Sequence, residues 1–204
     1  MTRDLPEEVS RRRAAALAGH GGDAARARVF LDDPAPAVRA TALGAIARAG
    51  ALTAADLGSA LADGSPLVRA RAAELAAGQP GDEAPQLVPV LSDTDPRVVE
   101  AAAWASGERQ PTEPGVVTAL VTVTTGHDDP LCREAAVAAL GSIGDAAGLP
   151  AILAATSDRP AVRRRAVLAL APFAGPEVDA AIERARADRD WQVRQAAEDV
   201  GGRG

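Results

Sequence analysis

The chain repeats itself about every 31 residues, and this periodicity constrains its fold more than any other feature. A short motif built around a proline, an apolar anchor and an arginine occurs six times with modest variation. An alanine follows each anchor by four residues, and the anchors are Val38, Val68, Val98, Cys132, Val162 and Val193. Six copies in register predict an array of similar units in which each unit packs mainly on its neighbours.

Each copy is predicted to form two helices. The second helix begins at a proline, which suits the first helical turn because the amides there have no partner within the helix. The first helices are expected over residues 23–32, 53–62, 83–92, 113–125, 146–156 and 176–187. The valines and threonines between 116 and 125 alone favour a strand, but their phase in the repeat predicts a helix.

Six helix pairs preceded by a helix over 5–18 predict an all-α, right-handed α-solenoid. We expect a single domain over 1–204, because stacked repeats share one continuous core. A loop is expected near 108–114, where the repeat step lengthens and two prolines occur. The predicted repeats cover 23–50, 52–79, 82–109, 113–144, 145–174 and 176–201.

The composition agrees with a helical repeat fold, and it argues against a disulfide-bonded or membrane-spanning protein. Only 2% of the residues are aromatic, whereas 50 of 204 are alanine, which favours helices packed through small side chains. A single cysteine excludes an internal disulfide and fits a reducing compartment. The longest uncharged stretch, 114–127, is too short to span a bilayer, and the amino terminus lacks an apolar run. We therefore expect a cytoplasmic protein with no membrane partner.

The motif from Pro130 to Asp145, Pro-Leu-Cys-Arg-Glu-Ala-Ala-Val-Ala-Ala-Leu-Gly-Ser-Ile-Gly-Asp, resembles the HEAT repeat. The closest form is the short bacterial repeat named after phycobilisome lyases. The resemblance covers about residues 23–201. It implies a superhelix of the armadillo/HEAT type whose second helices line a concave surface that commonly binds other proteins.

We assign a structural role to one set of repeated charged residues, which we expect to form a ladder of ion pairs between neighbouring repeats. Similar repeats pair an arginine that follows the anchor with an aspartate five residues before the next anchor. Val99 interrupts this ladder, and Asp128 and Asp158 are expected to replace the aspartates missing at His127 and Ser157. The ladder residues are Asp33, Arg39, Asp63, Arg69, Asp93, Arg133, Arg163, Asp188 and Arg194.

A recognition surface is predicted on the side of the second helices opposite the alanines that follow each anchor. At these positions the residue type differs from one repeat to the next. Variation on a constant frame is typical of a binding face, and Trp104 is the sharpest candidate for an anchor. The alternative is that Trp104 fills space at the irregular join between repeats three and four. The predicted protein-binding residues are Trp104, Arg71, Glu74, Arg97, Glu100, Glu108, Glu134, Arg164, Arg165 and Leu168.

No motif predicts catalysis, a cofactor or a metal. His20 and His127 lack metal-ligand spacing, and Cys132 stands at an apolar anchor. The sequence thus predicts a non-catalytic scaffold that binds an unidentified protein or peptide.

The alternative function is an enzyme or cofactor-handling factor of the phycobilin-lyase type, or a nucleic-acid binder similar to HEAT-like DNA glycosylases. For the latter, Trp104 and Glu108 share one helix face. The net charge of −6 and the acidic residues nearby oppose nucleic acid.

Overall fold

The computed structural model describes residues 7–79 and 84–202, and within these ranges the chain is helical and contains no strand. The predicted all-α class is therefore confirmed. Residues 5–6 of the predicted first helix and 82–83 of the predicted third repeat lie outside the described ranges. The chain forms two compact units, Met1–Pro85 and Gln86–Gly204, so its description as one domain over 1–204 remains a prediction.

The described residues of the N-terminal unit form five helices. Helix α1 packs on α3, and α3 packs on α5, so α1 contacts α3 as one second helix contacts the next. The shorter α2 and α4 stand where the first helices of repeats one and two were expected. The helices are α1 (Glu7–His20), α2 (Ala24–Arg28), α3 (Pro36–Arg48), α4 (Ala54–Leu61) and α5 (Pro66–Ala76).

The C-terminal unit contains the remaining helices of the described chain. The second helices pack in series, α6 on α8, α8 on α10 and α10 on α12. The valine-rich segment is helical, as its repeat phase predicts. The helices are α6 (Pro96–Glu108), α7 (Val116–Gly126), α8 (Pro130–Ile143), α9 (Leu149–Ala155), α10 (Pro160–Ala169), α11 (Pro176–Arg186) and α12 (Trp191–Gly201).

Small residues let successive second helices approach closely. A Cβ atom placed on Gly107 of α6 would lie 2.8 Å from the Cα of Ala139 in α8. One placed on Gly141 of α8 would lie 2.6 Å from the Cβ of Ala169 in α10. Because the neighbouring atoms belong to backbone or alanine, no side-chain rotation relieves either contact. The high alanine and glycine content thus sets the distance between repeats.

The predicted first helix of repeat three, 83–92, is wrong over its described part. Residues 84–88 are not helical, and only a 3-10 turn forms, from Pro89 to Ser92. Proline has no amide hydrogen and clashes with the preceding helical turn, which explains the loss of the α-helix around Pro89.

The Glu113 carboxylate compensates for part of this loss. It accepts hydrogen bonds from the backbone N–H of Leu87 at 2.8 Å and of Val88 at 3.2 Å. Glu113 lies in the connection between α6 and α7, where the sequence predicts a loop. The Glu113 side chain, from repeat four, therefore stabilises the irregular start of repeat three by two hydrogen bonds.

Bidentate arginine–aspartate pairs connect successive repeats within each unit. Arg39 donates through Nε and Nη2 to the Asp63 carboxylate at 2.8 and 2.7 Å. Its Nη1 donates to the carbonyl of Asp33 in its own repeat, at 2.8 Å. In the C-terminal unit, Arg133 binds Asp158 and Arg163 binds Asp188 in the same way. Each of these arginines therefore joins its own loop to the loop of the next repeat.

The ladder differs from the prediction at two places. In the N-terminal unit, Arg11 of α1 binds Asp33 with Nε 2.7 Å from Oδ2, so α1 supplies a rung that the repeat spacing did not reveal. At the fourth repeat, His127 accepts the backbone N–H of Asp129 through Nδ1, at 3.1 Å. Other repeats use an aspartate Oδ1 for this bond, so His127 and not Asp128 supplies the acceptor. The predicted replacement of Ser157 by Asp158 agrees with the Arg133 pair.

Candidate functional site

A groove of about 630 Å³ lies on the second helices of the C-terminal unit, and Trp104 forms part of its wall. We call it the Trp104 groove. Helices α6 and α8 provide most of its surface, and α10 provides one side chain. Its residues are Glu100, Trp104, Gly107, Glu108, Leu131, Glu134, Ala135, Ala138, Ala139, Ser142 and Arg165.

The depth of the groove follows from the sizes of its residues. Its floor carries glycine and alanine, where the close approach of Gly107 to Ala139 leaves no room for a larger side chain. Two large apolar side chains stand at its edges and remain open to solvent: Trp104 is 49% exposed and Leu131 is 54% exposed. Half of the Trp104 surface is thus available to a ligand.

The charges in the groove are predominantly negative. Three carboxylates line it, those of Glu100, Glu108 and Glu134, against the single guanidinium of Arg165. The Nε of that guanidinium forms an ion pair with Glu134, 3.5 Å from Oε1, but it is buried and has no hydrogen-bond partner. Glu100 and Glu108 each lie one helical turn from Trp104, so carboxylates stand on both sides of the indole along α6.

Five of the predicted binding residues meet in this groove, and the other five do not line it. Arg97 instead binds the carboxylate of Asp95 at the start of its own helix, at 2.8 Å. Leu168 packs against the buried cluster around Val167 and Val193, which gives it a partly structural role. Arg164 is half-buried in α10 outside the groove. Arg71 and Glu74 belong to the N-terminal unit.

A second groove, of about 480 Å³, lies on the second-helix surface of the N-terminal unit. We call it the arginine groove. Arg71 is its one predicted binding residue, whereas Arg12, Arg48 and Thr41 were not among the residues predicted to bind a partner. Its residues are Arg12, Ala37, Ala40, Thr41, Gly44, Arg48, Leu67 and Arg71.

Cys132 and the two histidines form no reactive cluster. Cys132 is buried, and burial raises the pKa of its thiol to about 11. Its Sγ lies 3.1 Å from the carbonyl oxygen of Pro96, so the thiol donates a hydrogen bond inside the core. Among residues 7–79 and 84–202, no three histidine, cysteine, aspartate or glutamate side chains are grouped so that they could hold a metal ion.

Comparison with protein families matches the sequence model of HEAT repeats to residues 54–140 and 117–200, more than half of the chain. The chain belongs to the HEAT-repeat family. This confirms the family to which the motif of repeat four pointed. No curated protein sequence matches the chain.

Solved structures place this HEAT-repeat chain in the armadillo/HEAT class of helical solenoids. YibA from Escherichia coli is 16% identical, with a TM-score of 0.66 over 97% of this chain and 75% of YibA. A designed armadillo repeat protein in complex with the peptide (KR)4 is 15% identical, with a TM-score of 0.56 over 96% of this chain and 98% of the designed protein. At these identities the likeness establishes the fold alone.

Human deoxyhypusine hydroxylase in complex with glycerol also matches, at 20% identity and a TM-score of 0.49, over 97% of this chain and 80% of the hydroxylase. Within the described parts of the HEAT-repeat chain, every helix is too short or too polar to cross a membrane.

Proposed function

We propose that the C-terminal unit binds a basic, extended segment of another protein in the Trp104 groove, as a non-catalytic interaction module. The observation that carries this proposal is the position of Trp104. It is half-exposed in a groove where carboxylates outnumber the guanidinium three to one. Trp residues in such positions are enriched among the side chains that dominate binding energy.

The spacing of the groove residues suits an extended chain. Glu100, Trp104 and Glu108 follow one another at intervals of four residues, about 6 Å apart along α6. Side chains on one face of an extended peptide are about 6.6 Å apart. Successive side chains of a bound segment can therefore reach successive residues of α6.

The charge of the groove favours basic side chains in that segment. A guanidinium or ammonium group over the indole gains a cation–π interaction, and the flanking carboxylates of Glu100 and Glu108 attract the same charge. Arginine fits best, because its planar group stacks on the ring while its edge donates to a carboxylate. The exposed Leu131 offers an apolar contact next to this position.

The same charges oppose the nucleic-acid alternative. A phosphate backbone in the Trp104 groove would meet three carboxylates and a single guanidinium, that of Arg165, which lies beside Glu134. No observation in the described residues favours the phycobilin-lyase type of activity over binding.

Replacing Trp104 by alanine tests the proposal. The probe is a fluorescein-labelled octapeptide of alternating lysine and arginine, and fluorescence anisotropy measures its affinity. We expect Trp104→Ala to weaken binding by roughly 30- to 1000-fold, which corresponds to about 2–4 kcal/mol. The melting temperature should change little because half of the side chain already lies in solvent.

Trp191→Ala is the matched control, since Trp191 is 66% exposed and lies outside the groove. It should leave the affinity unchanged. Equal affinity of wild type and Trp104→Ala for the probe, or an equal loss in both variants, would refute a site at Trp104. A large loss of stability in Trp104→Ala would instead assign the side chain to packing.

A further inference from the structure

Three guanidinium groups from three different helices line the arginine groove of the N-terminal unit. Arg12 comes from α1, Arg48 from α3 and Arg71 from α5. No aspartate or glutamate is among the residues that line the groove. The charge of this surface is therefore opposite to that of the Trp104 groove.

Contacts within the unit hold two of these arginines over α3. Arg12 donates from Nε to the hydroxyl of Thr41, at 3.3 Å, and that hydroxyl donates to the carbonyl of Ala37, at 2.7 Å. Arg71 reaches α3 from the other side, where Gly44 makes room for it. A Cβ atom on Gly44 would lie 2.9 Å from Nη2 of Arg71. The glycine thus allows the guanidinium to lie on the helix surface.

The pairing of these arginines leaves charge available for a ligand. Arg71 has an ion pair with Glu74 at 2.7 Å, between two partly exposed side chains of one helix, and pairs of this kind contribute little. Arg48 is exposed at the end of α3. A neighbouring groove of about 520 Å³ shares Arg12 and Arg48 and adds Arg13, so the positive surface continues along α1 and α3.

We infer that the arginine groove binds an acidic protein segment, whose carboxylates pair with Arg12, Arg48 and Arg71. Each guanidinium can hold a carboxylate through two parallel hydrogen bonds. Three arginines match a short run of aspartate or glutamate, whereas nucleic-acid binding draws on a larger number of phosphate contacts. The groove contains no aromatic side chain on which a base could stack, and Leu67, 47% exposed, adds an apolar contact that suits a peptide.

The test uses a fluorescein-labelled hexaglutamate peptide and the full chain at low salt, with affinity measured by fluorescence anisotropy. We expect Arg12→Gln, Arg48→Gln and Arg71→Gln each to weaken binding about tenfold, because each removes one charged pair. Glu74→Gln should strengthen binding about twofold, since it releases Arg71 from its partner. A merely nonspecific attraction would not distinguish these positions.

Arg26→Gln is the control, because Arg26 is exposed in the same unit but lines neither groove. An equal loss in Arg26→Gln and the three groove variants would overturn the proposal, as would no binding of the probe. A second arm replaces the peptide by a labelled twelve-nucleotide single strand of thymidines. Tighter binding of this strand through the same three arginines would also overturn the proposal and assign the groove to nucleic acid. Neither arm depends on Trp104, so the result is independent of the function proposed for the C-terminal unit.

Discussion

The two units carry the same repeat frame but opposite charges on their second helices. Glu100, Glu108 and Glu134 surround Trp104 in the C-terminal unit, whereas Arg12, Arg48 and Arg71 line the groove of the N-terminal unit. The buried anchors and alanines are nearly the same in both. Because the frame depends on buried residues and the groove chemistry on exposed ones, the array can present different ligand preferences without a change of fold.

Gly44 and Trp104 illustrate this at one equivalent position, six residues after the anchors Val38 and Val98. In the N-terminal unit the glycine leaves space that the guanidinium of Arg71 fills. In the C-terminal unit the indole itself occupies the surface and remains half-exposed. The identity of one residue thus determines whether a charged group or an aromatic ring faces the ligand.

Charge reversal in the Trp104 groove should have the largest effect. Glu100→Arg combined with Glu134→Arg would place like charges opposite a basic segment, which costs several kcal/mol. We expect the lysine–arginine octapeptide to bind at least about 100-fold more weakly, as measured by fluorescence anisotropy. Because the two new arginines also attract hexaglutamate, the arginine groove is followed through the loss of hexaglutamate affinity caused by Arg71→Gln, which should stay about tenfold. A change in that loss would mean that the two grooves do not act separately.

Removal of one ladder carboxylate should lower the free energy of unfolding by an intermediate amount, and by the same amount in either unit. Hydrogen bonds from arginine hold the pKa of Asp63 and of Asp158 below the usual value for aspartate. A carboxylate whose pKa is lowered by folding stabilises the protein above its unfolded pKa, about 4, and this contribution is lost as the pH falls through the folded pKa.

We therefore expect Asp63→Asn and Asp158→Asn each to lower the free energy of unfolding by about 2 kcal/mol at pH 7. The difference from wild type should shrink as the pH is lowered below 4. Urea denaturation at a series of pH values measures both. A difference that persists unchanged at pH 2 would show that the charge of the pair is not what stabilises the repeat.

The smallest effect is expected at Gly44, where stability and binding should change in opposite directions. Gly44→Ala should stabilise α3 by up to about 1 kcal/mol, because alanine is the better helix former. The added Cβ should displace the guanidinium of Arg71 and weaken hexaglutamate binding about threefold. Thermal melts and anisotropy measure the two changes. Gly58→Ala in α4, where a Cβ meets no neighbour, should stabilise the helix without altering binding.

Much of the fold was predictable, because repeat phase carries more information than local propensity. It predicted a helix over 113–125 against a valine-rich composition, where the structure has α7 over Val116–Gly126. It also predicted helix starts at prolines such as Pro130 and Pro160. The same phase failed at 83–92, since it extended a helix through Pro89, which disfavours an α-helix over the residues before it, and the structure has only a 3-10 turn from Pro89 to Ser92. A prediction that extends the common repeat pattern to every copy misses a proline that departs from the pattern in one copy.

The grooves were predictable only in part. Glu100, Trp104 and Glu134 lie on the variable side of their helices, so their position in the repeat was enough to select them. Arg12 lies on α1, before the first complete repeat, and no equivalent position drew attention to it. The approach of Arg71 to Gly44 depends on the path of a long side chain between two helices, which sequence spacing does not specify.

The double attachment of Arg39 has a consequence for how such a protein can change over generations. Its guanidinium links a carbonyl of its own loop to a carboxylate in the loop of the next repeat, so the residues that form this junction are encoded within two adjacent repeats. Duplication or deletion of a whole repeat recreates an equivalent junction on either side of the change. Arrays of this kind can therefore grow or shrink by gene rearrangement while the surviving copies keep their contacts.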